Sequence, residues 1–188
     1  MARQIFNFTE PERFVVGTVG MPGERTFFLQ ARQGNLITSV VIEKQQALVL
    51  AERTDQLLDE VRETRSPLVD IPDAGVVSAV DVAPLELPIF EEFRVGAMAL
   101  GWDEATSLVV IEAHAVAEEG GQVPEIADDD TEGVDTLRVW LSAAQARSFA
   151  ERARAVAAAG RPPCPFCNQP LDPEGHICPR ANGYRRRT

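Results

Sequence analysis

Lysine is all but missing from this chain: Lys44 is the only one, against 17 arginines. Any chemistry that needs a primary amine therefore has one candidate side chain. Basic charge as a whole is short, with 18 basic residues against 29 acidic ones, a net charge of -11 and a pI near 4.7. That balance excludes a uniformly basic nucleic-acid grip and a basic helix lying on a membrane surface. No apolar run approaches the ~20 residues of a membrane span, so no membrane partner is expected. The opening residues 1–7 hold no signal-peptide core, and a cytoplasmic location is expected. Aromatic residues are sparse at 6%, and the chain has three cysteines and two histidines. An odd number of cysteines argues against a disulfide framework. At 188 residues none is needed, because a chain of this length buries roughly 70% of its unfolded surface.

What is present is concentrated. All three cysteines and one histidine fall in the 15 residues Cys164–Cys178, as Cys164-Pro-Phe-Cys167, eight residues, then His176-Ile-Cys178. Zinc takes four nitrogen or sulfur ligands in a tetrahedron, and three thiolates with one imidazole form a common closed set. A C-x-x-C turn aims two sulfurs at one ion, and the eight-residue loop returns a second pair. Pro165, Pro170, Pro173 and Gly175 suit the tight turns required. So short a segment has almost no core of its own, so the ion would supply its folding energy. Cys164, Cys167, His176 and Cys178 are thus the expected zinc ligands. A structural site is expected, because no position is left for water. The competing readings are a three-ligand site with an open position and a redox C-x-x-C pair. Redox pairs open a helix, whereas Pro165 and its neighbours favour a loop.

Periodicity predicts an α+β body. Strands are expected at Phe14–Val19, Thr26–Arg32 and Leu36–Ile42, with hairpin turns at Met21–Glu24 and Gln33–Asn35. A helix follows over Glu43–Glu63, with Ala47, Leu50, Ala51, Leu57, Leu58 and Val61 on one face. Residues 65–88, with four prolines, read as a connector, with one strand suggested at 76–82. Further strands are expected at Phe93–Leu100, Ser107–Val116 and Thr136–Leu141. A second helix runs from Ser142 to about Ala159, opened by a capping box of Ser142 and Gln145.

The halves repeat. Gln46-Ala47 and Ala51-Glu52-Arg53 match Gln145-Ala146 and Ala150-Glu151-Arg152 at a shift of 99 residues. Phe14-Val-Val-Gly17 parallels Phe93-Arg-Val-Gly96, and Phe27–Ala31 parallels Val109–Ala113. The expected fold is therefore a duplicated β-β-β-α pair forming one antiparallel-sheet domain with two helices, plus a small C-terminal zinc knuckle. The body spans residues 1–160, with halves at about 1–64 and 89–160, and the tail spans 161–188.

Charge divides the same way, at -14 over residues 1–160 and +3 over 161–188. Residues 118–135 carry eight acids and no base. Their spacing lacks the alternating ligands of a calcium loop, so a solvated loop is expected. His114 lies in an apolar strand with no nucleophile signature beside it, which marks a core histidine. Gly17, Gly20 and Gly23 are spaced like a phosphate loop, but they lead from strand to strand, which marks a hairpin. Glu10, Glu12, Glu91 and Glu92 are candidate carboxylate pairs that count as surface charge without a cleft. No catalytic residue is assigned. Phe166, Tyr184, Arg180 and Arg185–Arg187 supply rings and guanidinium groups able to stack on bases.

The string Cys164–Tyr184, with its CPxC…HxCPR motif, and the string Gly17–Ala31 resemble an uncharacterised actinobacterial family known only as a domain of unknown function. The resemblance covers essentially the whole chain. It implies a cytosolic bacterial protein encoded beside a histidine-phosphatase-like protein and a kinase-like protein, and it carries no catalytic residues. At the level of fold alone, the repeated strands closed by a helix also resemble the PUR and Whirly single-strand binders. The expected function is that of a non-enzymatic, zinc-binding protein-interaction module, with the phosphatase-like or kinase-like neighbour as partner. The alternatives are a nucleic-acid binder using the basic tail and an enzyme with a cleft between the halves.

Overall fold

Strand-forming and helix-forming stretches alternate in the order the periodicity predicts. The computed structural model describes residues 3–65, 69–75, 81–117, 126–130, 132–160, 164–169, 171, 175, 177, 178 and 180. Among them are β1 (Ile5–Phe8), β2 (Arg13–Val19), β3 (Thr26–Gln33), β4 (Leu36–Ile42) and α1 (Lys44–Arg65). The second half holds β5 (Glu91–Asp103), β6 (Leu108–Ala115), β7 (Thr136–Leu141) and α2 (Ala143–Ala158). The strand suggested at 76–82 lies mostly outside the described residues. The short β1 was not expected, because four residues are too few to establish an alternation.

One seven-stranded sheet and two helices make an α+β body. The strand order is β1-β7-β6-β5-β4-β3-β2. Pairing is antiparallel within β2-β3-β4 and within β5-β6-β7. The two triplets meet in a parallel pair, β4 with β5, and β1 adds parallel to β7. A parallel neighbour needs a long crossover, and α1 with the connector provides it. Alternation in a sequence fixes which face a residue takes and not the direction of the next strand, so these two junctions depart from the expected all-antiparallel sheet.

The sheet curls until its edges approach each other. β1 and β2 are opposite edges, yet only Thr9–Glu12 join them. α2, which follows β7, crosses to β2 on the far edge. There Phe149 stacks on Phe14 at 4.6 Å, and Arg152 Nε donates to the Val16 carbonyl at 2.8 Å. Gln145 Nε2 also donates to the Pro11 carbonyl at 3.0 Å. The arginine thus satisfies an edge-strand acceptor that no further strand reaches.

The inner face carries the main core. Val16, Leu29, Val40, Ile111, Leu137 and Val139 are all buried there against both helices. α2 opens with the predicted capping box, Ser142 and Gln145. Its buried stripe is mostly alanine, which lets the helices lie close together. Arg147 is 1% exposed and donates to the Pro72 carbonyl and to Asp55 and Asp59 of α1. A buried guanidinium that lost these partners would cost several kcal/mol, roughly 3–5.

The outer face is covered by chain without helix or strand. Over the first half, Leu85 of the connector packs on Val15, Phe28 and Val41. Gln30 completes the layer: its amide accepts from Glu86 N at 2.8 Å and donates to Glu86 O at 3.0 Å. Gly17 lies directly beneath Leu85. A Cβ at position 17 would stand 2.9 Å from Leu85 Cδ1 and closer still to Cγ. Gly17→Ala is therefore expected to destabilise the body by about 1–3 kcal/mol through overpacking. Adding Leu85→Ala should make the pair less than additive, read as urea midpoints in a double-mutant cycle.

Candidate metal centre

The cysteine segment folds on its own backbone before any ion is considered. Asn168 N donates to the Cys164 carbonyl at 2.9 Å, and Cys164 N donates to the Gln169 carbonyl at 2.8 Å. Asn168 takes a positive φ of 60° and Gly175 one of 86°, conformations that these two residue types tolerate best. The turn aims the backbone N–H groups of Phe166 and Cys167 at Cys164 Sγ. These bonds bring the thiol pKa down to about 6, which favours the thiolate. Cys167 is pushed the other way, by burial first and by the neighbouring sulfurs after it.

Three sulfurs converge. Cys164 and Cys178 are buried, Cys167 is half-buried, and the ligand atoms of all three lie within 4.8 Å of one another. Cys164 Sγ and Cys178 Sγ are 3.8 Å apart. A disulfide would hold them at about 2.0 Å. Two thiolates on one tetrahedral zinc, each at ~2.3 Å, stand ~3.8 Å apart. The donor set therefore fits a thiophilic divalent cation, whose charge would also relieve the repulsion that raises Cys167. His176, the fourth expected ligand, lies outside the described residues, as do Tyr184 and Arg185–Arg187. Around the sulfurs, Phe166 and Ile177 are exposed by 62% and 85%, and Arg180 Nη1 donates to the Phe166 carbonyl at 3.4 Å.

The other candidates take different places. Gly20 and Gly23 have φ of 104° and 107° and form the β2–β3 hairpin, as the spacing predicts. Glu12 pairs with Arg32, while Glu91 and Glu92 are exposed. Where the halves meet at β2 and α2 there is a cleft of about 100 Å³, lined by Arg13, Asp81, Phe149 and Arg152 among others. That is below the ~300 Å³ where ligand pockets begin, and its charges satisfy each other. Arg13 bonds Asp81 at 2.5 Å and holds its carboxyl below the usual range, and Arg152 pairs with the same carboxylate.

The described part of the acidic loop is mostly exposed, as expected, but it is also anchored. Residues 118–125 and 131 lie outside the described residues. The Asp129 side chain is 81% exposed, yet two arginines hold this stretch to the body. Asp128 faces Arg3 at 3.4 Å and Asp129 accepts from Arg138 at 2.6 Å, while the Asp128 and Asp130 carbonyls accept from the same two arginines. These contacts cover the outer face of β6 and β7, where Glu112, His114, Thr136 and Arg138 are buried. His114 is a core histidine, as expected. Its Nδ1 lies 3.0 Å from Thr136 Oγ1, and its Nε2 faces Glu112 Oε2 at 3.4 Å. Burial lowers the His114 pKa, opposed in part by the Glu112 charge.

A family model described as "Protein of unknown function (DUF3090)" matches residues 6–178, from β1 to the last cysteine. No curated protein and no solved structure matches the chain.

Two outcomes are expected from this geometry. The three thiols should resist a colorimetric thiol reagent in the metal-loaded protein and react once a chelator is added; immediate reaction would mean that no ion is held. For His114, the folded pKa lies below the unfolded value of about 6.5, so the unfolded chain takes up the proton first on acidification. Stability from this group is complete above about pH 6.5 and falls as the pH is lowered from there toward the folded pKa. Urea midpoints on either side of that value should show the slope, and His114→Gln should flatten it.

Proposed function

The chain belongs to the DUF3090 family of unknown function, and we propose that it is a non-catalytic, zinc-stabilised module that binds another protein through its C-terminal knuckle. The observation that carries this reading is the sulfur triad spaced for a tetrahedral ion beneath two exposed apolar tips, Phe166 and Ile177. Zinc is the cation of choice for such a donor set, and His176 is its fourth ligand. With four protein ligands the site is closed to water and serves architecture rather than catalysis. Exposed apolar side chains, one of them on a hydrogen-bonded turn, are what a partner's pocket can bury. The first partners to test are the phosphatase-like and kinase-like proteins that the family resemblance implies. The same resemblance supports an actinobacterial origin and a cytoplasmic location.

A duplication is part of the proposal. α1 and α2 begin 99 residues apart, the same shift that aligns their sequences, and Gln46 and Gln145 both accept from the backbone N–H three residues earlier. Each helix also packs against the first strand of the other antiparallel triplet, α1 on β5 and α2 on β2.

A second reading is favoured by one observation. Arg180 donates to the carbonyl of Phe166, whose ring is exposed, so one short segment offers both a guanidinium and a ring to a nucleic-acid base.

Elemental analysis should give one zinc per chain. Cys164→Ser should release it and disorder the knuckle while the body keeps its unfolding midpoint. A pull-down should recover a neighbouring phosphatase-like or kinase-like protein, and Phe166→Ala with Ile177→Ala should abolish recovery at unchanged zinc content. Recovery of neither protein, together with salt-sensitive retention of an oligonucleotide, would transfer the function to the second reading.

A further inference from the structure

Positive charge is scarce in this body, and nearly all of it is answered by acid. Ten of its arginines form ion pairs with carboxylates. Arg25 and Lys44 do not, among the described residues, although acids outnumber bases along the chain. Both turn instead toward one place. That place is beside Gly160, just beyond α2: a Cβ there would lie 3.5 Å from Arg25 Nη2 and 3.9 Å from Lys44 Nζ, so both cationic tips lie around one point. Arg25 is half-buried, and its guanidinium lies over the Phe27 ring, 5.5 Å from the centroid. The stacked group is therefore held in position rather than swinging free.

The two cations share a hollow. A cleft of about 310 Å³ is lined by Gly23, Arg25, Phe27, Lys44, Ala157 and Gly160. A second, of about 180 Å³, adjoins it through Arg25, Phe27 and Lys44 and adds Thr26 and Arg94. Among the described residues, the one carboxylate in the lining, Glu43, is occupied by Arg94 at 3.0 Å. Two like charges converging on an open volume repel each other, and the effect is stronger beside protein than in bulk water. The carboxyl end of α2 offsets part of that repulsion. An anion seated between the two heads would offset it fully.

We propose that this paired cleft between the β2–β3 hairpin, the start of α1 and the end of α2 binds a small phosphate monoester, with Arg25 and Lys44 holding the phosphate and the organic portion lying along Thr26 and Arg94. Guanidinium and ammonium together match a phosphate head, one by its planar fork and one as a point charge. The combined volume exceeds what bare phosphate fills, which is why an ester is named. The site is independent of the metal and of the knuckle's partner.

Calorimetric titration of the full, metal-loaded chain at low ionic strength tests this. The probes are glycerol 3-phosphate, inorganic phosphate and sulfate at millimolar concentration. Saturable one-to-one binding is expected, tightest for the ester. Arg25→Gln and Lys44→Gln should each weaken it by about tenfold or more. Gly160→Val should abolish binding by filling the space while both charges remain, and Arg53→Gln, which removes an unpaired cation on an exposed part of α1, should leave it unchanged. If Arg25→Gln does not fold, Lys44→Gln and Gly160→Val decide alone. Absence of saturable heat with all three probes overturns the proposal. So does binding that survives Gly160→Val. Variants that lower the unfolding midpoint while binding stays intact would reduce the two cations to caps for α2.

Discussion

A sheet of seven strands presents two faces and two edges to water, and this chain has two helices with which to cover them. The helices go to one face, where they enclose the main core. The other face must be closed by chain that is neither helix nor strand. Leu85 and Gln30 achieve this over the first half, one by filling volume above Gly17 and one by lending its amide to the Glu86 backbone. Over the second half the cover is acidic and the sheet beneath it carries Arg138, with Arg3 reaching in from the chain's start. The edge at β2 is met by Arg152. Arginine thus does in several places what hydrophobic contact does elsewhere. Its fork supplies several directed donors that a single ammonium cannot match, which gives a physical meaning to the near-absence of lysine.

Much of this was open to reading in the sequence. Strands β3, β4 and β7 and both helices follow from local periodicity, because burial on one face leaves its mark on every second residue or every third and fourth. The capping box at Ser142 is a signal three residues long. The cysteine cluster is legible for the same reason: all three thiols fall within 15 residues, and their sulfurs converge. What stayed hidden is non-local. Arg147 meets Asp55 across 92 positions and Arg3 meets Asp128 across 125. No window of sequence holds both partners. The run Asp128-Asp129-Asp130 therefore reads as solvent-facing, although two arginines from other elements anchor it. The parallel meeting of β4 and β5 is hidden for the same reason, since direction is a property of the pair.

Body and tail follow different physics. The body is stabilised by area: its core side chains leave water together, and its charges are largely matched. The tail segment around the sulfurs has little area to bury, and its order comes from a few directed backbone bonds. Three sulfurs that converge in so small a segment are a donor set that a metal ion could occupy.

The place of β1 has a cost that appears only when the chain is being made. It is made well before its partner β7, with Ile5 opposite Thr136. Until β7 is made, β1 lacks the strand it pairs with. Closing a contact of such sequence separation is slow, and an unpaired apolar strand is a template for foreign edges in the meantime. The interval between making β1 and making β7 is thus a window in which the unpaired strand meets foreign edges before its own partner.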